Sequence, residues 1–221
     1  MDIEANIREV RRRIARACER SRRSPDEITL VAVTKGFEVP AIRTAFNSGI
    51  RDFGENRVQE AEGKIAQLTD LKPDVTWHMV GHLQSNKAMS AVELFDIIHS
   101  VDSLKLAEIL NRRVEKPLPV LLEVNVSGEA TKGGFSLGEI AAAVEEIRKL
   151  SNLKLRGLMT VAPFVIDPEA VRPVFRKLRE LRDSLGLEHL SMGMTDDFEV
   201  AVEEGATMLR IGRAIFGDRR Q

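Results

Sequence analysis

The chain has 221 residues, 43% of them hydrophobic, which suits one ordinary domain or one larger α/β barrel. Its 33 Lys+Arg against 34 Asp+Glu leave a formal charge of -1, so no global field draws it to nucleic acid or to a membrane surface. A lone cysteine, Cys18, excludes an internal disulfide and a cysteine-rich zinc site and suits a reducing cytoplasm, and no apolar signal segment follows Met1-Asp2-Ile3-Glu4.

Residues 3–21 place Ile3, Ile7, Val10, Ile14 and Ala17 at helical spacing. Arg11, Arg12, Arg13, Arg16, Arg20, Arg22 and Arg23 crowd the same segment. They read as the solvated face of an amphipathic helix, with contact to RNA or an acidic partner as the alternative. Strands are predicted at 28–35, 52–55, 76–81, 96–101, 119–126, 153–161, 189–194 and 208–212. Several are continuously apolar, the mark of parallel strands buried on both faces. Between them, Pro40 opens a helix that stops near Gly49, and further helices are predicted at 57–68, 85–93, 103–115, 136–150, 168–185 and 197–204. Ser136 and Glu139 have capping-box spacing, and Pro168 and Pro173 require the helix at 168–185 to start late or bend. Strands alternating with helices predict an α/β fold, a (β/α)8 TIM barrel with an extra N-terminal helix, the rival being a doubly wound sheet.

In such a barrel, functional groups gather at the C-terminal strand ends. Lys35 closes the run Ile28-Thr29-Leu30-Val31-Ala32-Val33-Thr34. A lysine there either snorkels to solvent or has a use for its amine, such as a Schiff base with an aldehyde. Ser191 and Thr195 flank Gly193 ahead of a short helix, and Gly212 follows the last strand. These are ordinary turn glycines or, at the last two strands of a barrel, a phosphate seat. An aldehyde-trapping lysine opposite a phosphate seat points to pyridoxal 5'-phosphate (PLP), with Arg210 at the same mouth as partner of the pyridine nitrogen. His78 and His82 are four apart, but in a strand that spacing does not converge and no third ligand is evident, so no metal is expected.

The chain resembles the pyridoxal phosphate homeostasis proteins, relatives of the alanine racemase barrel (fold type III). The likeness runs almost end to end. It rests on Leu30-Val31-Ala32-Val33-Thr34-Lys35, Phe53-Gly54-Glu55-Asn56, Trp77-His78-Met79-Val80-Gly81-His82-Leu83-Gln84-Ser85-Asn86-Lys87, Gly157-Leu158-Met159-Thr160, Ser191-Met192-Gly193-Met194 and Arg210-Ile211-Gly212-Arg213-Ala214-Ile215-Phe216-Gly217. The resemblance implies that Lys35 carries the cofactor as an aldimine and that Asn56 lies beside its ring. It places Ser191, Thr195, Gly212 and Arg213 (the last through backbone) around the phosphate, and Arg210 at the pyridine nitrogen. Thr195 stands where the family often has serine, and Arg213 where a small hydroxyl residue is frequent.

A racemase of this fold uses a tyrosine from a second domain as its opposite-face base. This sequence contains no tyrosine and stops at Gln221, soon after the eighth predicted strand. The expectation is therefore a single cofactor-binding domain over 1–221 with no second domain and no catalytic residues. It would be a monomeric cytoplasmic carrier that buffers vitamin B6 or delivers PLP to apoenzymes. A weak PLP-dependent racemase is the alternative, and an RNA- or partner-binding module built on the arginine-rich helix is a remote one.

Overall fold

A computed structural model describes residues 2–129 and 131–218; Met1 and Gln221, between which the domain was drawn, lie outside the described residues. The sheet closes as an eight-stranded parallel barrel in sequence order. Its strands are β1 (Thr29–Val33), β2 (Asp52–Glu55), β3 (Thr76–Met79), β4 (Ile97–Val101), β5 (Leu118–Glu123), β6 (Leu153–Met159), β7 (His189–Ser191) and β8 (Met208–Ile211). Closure pairs Thr29 with Met208 and Val31 with Arg210. The doubly wound alternative is thereby removed.

The helices are α1 (Ile3–Ser21), α2 (Val39–Asn47), α3 (Val58–Ile65), α4 (Ala88–Leu94), α5 (Leu104–Arg113), α6 (Ile140–Arg148), α7 (Arg172–Ser184), α8 (Phe198–Glu203) and the short α9 (Arg213–Phe216). Helix α7 starts late, as its prolines require: residues Pro168–Val171 form a 3-10 turn and Pro173 sits in the first turn of the α-helix proper. Helix α6 also starts later than predicted. The Ser136 hydroxyl donates to the Glu139 carboxylate (2.6 Å) instead of capping a backbone N–H.

Side chains alternate in and out of the barrel. Outward residues such as Phe53 and Trp77, whose ring centroids lie 5.6 Å apart, join the helices in one continuous apolar layer. The lumen holds two separate apolar clusters, Val31/Val33/Val80 and Ile97/Leu121/Met159/Met208. Polar side chains occupy the space that these leave.

Helix α1 buries Ile7, Val10, Ile14, Ala17 and Cys18. Its arginines are largely absorbed into structure. Arg11 donates to the carbonyls of Ser48 and Gly49 beyond the end of α2. Arg23 donates to those of Val202 and Ala206, while Arg13 and Arg20 pair with Glu199 and Glu203 on α8. Among the described residues no helix is long and apolar enough to cross a membrane.

Truncating the apolar face and the charged face of α1 should therefore differ. Ile7→Ala, at a fully buried position, is expected to cost ~2–5 kcal/mol in urea-induced unfolding. Arg12→Ala, which removes only an exposed pair with Glu9, should leave the midpoint unchanged.

Candidate functional site

The C-terminal strand ends enclose a cavity of about 460 Å³, within the usual range for small-molecule sites. Of the residues expected at the site, Lys35, Asn56, Thr195, Arg210, Gly212 and Arg213 all line it. Lys35 lies two residues beyond β1 but keeps the inward parity of Val31 and Val33. Gly212 does the same for Met208 and Arg210 on β8.

Ser191 is placed differently from expectation. It is fully buried and does not line the cavity. Its hydroxyl accepts from Arg210 Nη1 (2.6 Å) and meets His99 Nδ1 (2.8 Å). Arg210 Nη2 donates to the Thr160 carbonyl (2.8 Å), so the guanidinium is held on both sides. Burial pushes Arg210 down to about 10, and the nearby carboxylates of Asp197 and Glu123 oppose that shift, so the group stays cationic at neutral pH. Burial in turn raises both Asp197 and Glu123.

The backbone on either side of Lys35 is fixed from outside the barrel. Lys64 on α3 donates to the Thr34 carbonyl (2.7 Å), to Glu55 (2.7 Å) and to Glu60 (2.6 Å). The Gly36 N–H donates to the same Glu60 oxygen, and the Thr34 hydroxyl to Glu55. Both peptide groups flanking Lys35 are thus tied to one charged cluster. Glu55 is wholly buried, its Oε2 has no hydrogen-bond partner among the described residues, and burial raises its pKa against the pull of Lys64 and Thr34.

Asn56 reaches the cavity because Gly81, two residues beyond β3, lets the two chain segments approach closely. A Cβ on Gly81 would lie 2.4 Å from the Asn56 carbonyl oxygen. Thr195 accepts from the Ala214 N–H (3.2 Å), which ties the loop after β7 to α9. The exposed Arg213 side chain pairs with Asp196. Gly193 is not a cavity residue. Its φ of +95° and the 2.6 Å approach of a Cβ to Ala201 explain it by turn geometry and packing on α8.

Residues that sequence reasoning missed supply the walls: Val33, Phe37, Val80, Val161, Met194, Asp196, Gly217 and Asp218. Inward parity at strand ends would have found Val33, Val80 and Val161. His78 and His82 diverge: His78 is buried in the lumen against Asp52 and His99, while His82 sits at the rim on Asp102 (3.1 Å). Among the described residues no three His, Cys, Asp or Glu converge as a metal site.

Lys64→Met should be costly, because it strands the Glu55 charge in the protein interior; ~3–5 kcal/mol is expected at neutral pH. A carboxyl with a raised folded-state pKa binds its proton more tightly folded than unfolded. Stability is then lost as pH rises from the unfolded value through the folded one, and regained on acidification. Urea unfolding of the variant should show the deficit shrinking as Glu55 protonates.

The alanine racemase N-terminal domain family matches residues 2–220. The pyridoxal phosphate homeostasis protein of Aquifex aeolicus is 46% identical over 217 residues, covering 94% of each chain. That of Pseudomonas aeruginosa is 46% identical over 222 residues, covering 98% of this chain and 96% of its own. Among solved structures, PipY of Synechococcus elongatus with PLP bound superposes with a TM-score of 0.82 at 40% identity, over 92% of this chain and all of that one. Alanine racemase of Corynebacterium glutamicum shares the fold, with a TM-score of 0.69 at 16% identity, and this chain covers 62% of its length. By sequence over nearly its whole length and by barrel topology, the chain belongs to the pyridoxal phosphate homeostasis protein family.

Proposed function

We propose that this protein binds pyridoxal 5'-phosphate covalently, as an aldimine on Lys35, and serves as a cytoplasmic buffer or donor of the cofactor. The observation that carries this reading is the meeting of Lys35 and Arg210 on one cavity, an amine and a fixed cation delivered by the hydrogen-bonded neighbours β1 and β8. Gly212 keeps the floor between those strands open, since a Cβ there would come within 3.3 Å of the Val33 carbonyl. The bound cofactor would contribute an electrophilic aldehyde carbon and a phosphate dianion.

Each cavity residue then has a task. Lys35 supplies the nucleophilic amine, and the Lys64–Glu60 cluster holds its backbone in place. Thr195 and the backbone of Gly212 and Arg213 receive the phosphate, and Ser191, expected there too, instead holds Arg210. Arg210 donates to the pyridine nitrogen, and Asn56 lies beside the ring. Val33, Val80 and Val161 keep water from one side of the cavity. An arginine, unlike a carboxylate, does not stabilise a protonated ring nitrogen, so the cofactor is a poor electron sink here.

That choice, and a sequence with no tyrosine to act as an opposite-face base, favour storage over racemisation. The unit of function is one domain over 1–221 acting as a monomer, with PLP-dependent apoenzymes as recipients. The relatives are named for cofactor homeostasis and not for a reaction.

Incubation with PLP should produce a visible imine absorption band, and borohydride should then fix one cofactor label to Lys35. Lys35→Ala should show neither band nor label, and a band that persists in that variant would overturn the assignment. Loaded protein in deuterated solvent should exchange the α-hydrogen of amino acids no faster than free PLP does; sustained turnover would favour the racemase.

A further inference from the structure

Five side chains from five strands form one hydrogen-bonded line across the barrel lumen. Arg210 meets Ser191, Ser191 meets His99, His99 Nε2 meets His78 Nδ1 (2.9 Å), and His78 Nε2 meets Asp52 Oδ1 (3.0 Å). The direction of every bond follows from the first. A guanidinium can only donate, so the Ser191 oxygen accepts from it. The hydroxyl has one hydrogen, and among the described residues its other partner is His99 Nδ1. Were His99 to donate as well, a fully buried serine would be left with a hydroxyl hydrogen and no acceptor. Ser191 therefore donates to His99 Nδ1. The His99 proton must then sit on Nε2 and point at His78 Nδ1, which places the His78 proton on Nε2, pointing at Asp52.

We infer that His99, His78 and Asp52 form a one-directional donor line that fixes the Ser191 hydroxyl and, through it, the orientation of Arg210 at the cavity floor. His78 and His99 are positioning residues that touch no ligand themselves. Successive bonds of one polarity strengthen one another in a low-dielectric interior. Burial, with His78, Arg210 and His189 adding to it, holds His99 well below the ordinary histidine range, in keeping with a neutral ring. The ring centroids lie 5.1 Å apart and the two nitrogens 2.9 Å, so the rings meet nitrogen to nitrogen with their planes tilted by 71°. Asp52 opens β2, at the end of the barrel away from the cavity, and its side chain is 29% exposed. The line thus crosses the lumen from a solvent-touching carboxylate to the buried cation.

The ligand-facing consequence rests on the PLP reading; the proton positions do not. Long-range proton–nitrogen NMR on the full chain without cofactor should show both His78 and His99 neutral with the proton on Nε2. A proton on His99 Nδ1, or an imidazolium at His78, would overturn the inference. A second measurement uses the direction of the bonds. In His78→Gln the amide can accept from His99 and donate to Asp52, whereas His78→Leu can do neither. The Gln variant should keep wild-type PLP affinity and absorption spectrum, while the Leu variant loses about ten-fold in affinity, one charge-assisted hydrogen bond's worth, with a shifted band. Equal affinities for the two variants would overturn the positioning role, and the NMR result on the unmutated protein decides the matter if His78→Leu does not fold. A wild-type protein that binds no PLP would instead defeat the cofactor reading and leave the proton assignments standing.

Discussion

The burial of one guanidinium in the lumen is the constraint on which the rest of the site depends. Arg210 is 5% exposed inside a barrel whose lumen would otherwise pack with apolar branched side chains. An unpartnered cation there would be prohibitive, so its neighbours must be polar. The Thr160 carbonyl takes one N–H and the Ser191 hydroxyl another, while Asp197 and Glu123 supply opposing charge. Satisfying Ser191 brings in His99, and satisfying His99 brings in His78 and Asp52. The lumen is therefore split into two apolar clusters with a polar line across the remainder.

A second buried charge does comparable work on the other face of the same wall. Glu55 points out of the barrel toward α3, where Lys64 joins it to Glu60 and to the backbone ahead of Lys35. Paired charges of this kind seldom add net stability over a well-packed apolar alternative. What they add here is geometry. The peptide groups on both sides of Lys35 are fixed by outer-layer contacts, and the Arg210 head by inner-layer contacts. The two groups that line the cavity from neighbouring strands are thus held by separate networks. Such preorganisation lowers the ordering cost of binding.

The architecture was legible in the sequence because strands buried on both faces are apolar along their whole length and the segments between them are amphipathic. The strand ends were not. Strands drawn to residues 126, 161 and 194 stop at Glu123, Met159 and Ser191. Apolar composition continues past those points, but the chain leaves the ladder to form the mouth, with Gly193 at positive φ. The cavity residues Lys35, Thr195, Arg210 and Gly212 could be read because each sits at or just past a strand end, while Asn56 and Arg213 came only from the family resemblance. Ser191 looked equivalent by the same rule, but its hydroxyl is committed to His99, 92 residues away in sequence. Only closure of the barrel makes those two residues neighbours. The pairing of Glu55 with Lys64 was hidden for a similar reason, since nothing in the sequence says that an acidic residue on β2 faces outward. The N-terminal arginines are a further case. Of the seven clustered arginines, Arg11 and Arg23 are tied to carbonyls and Arg13 and Arg20 to glutamates of α8, contacts that only the closed barrel brings together.

The nature of Arg210's neighbours also bears on what the cavity can do with a bound aldehyde cofactor. A guanidinium held at about 10 by burial remains protonated at neutral pH and can only donate. A pyridine nitrogen facing it must accept and so stays unprotonated, which withholds the charge that makes the ring a strong electron sink. On the proposed reading, the same contact would still orient the ring and contribute to binding. If Ser191 donates to His99, its one hydrogen is committed there and its oxygen to Arg210, so the polar line fixes the guanidinium as a donor. Binding and reactivity are thereby separated at a single residue. On the proposed reading, the cavity would hold an aldehyde through Lys35 while keeping the attached ring quiet, which is what a carrier requires.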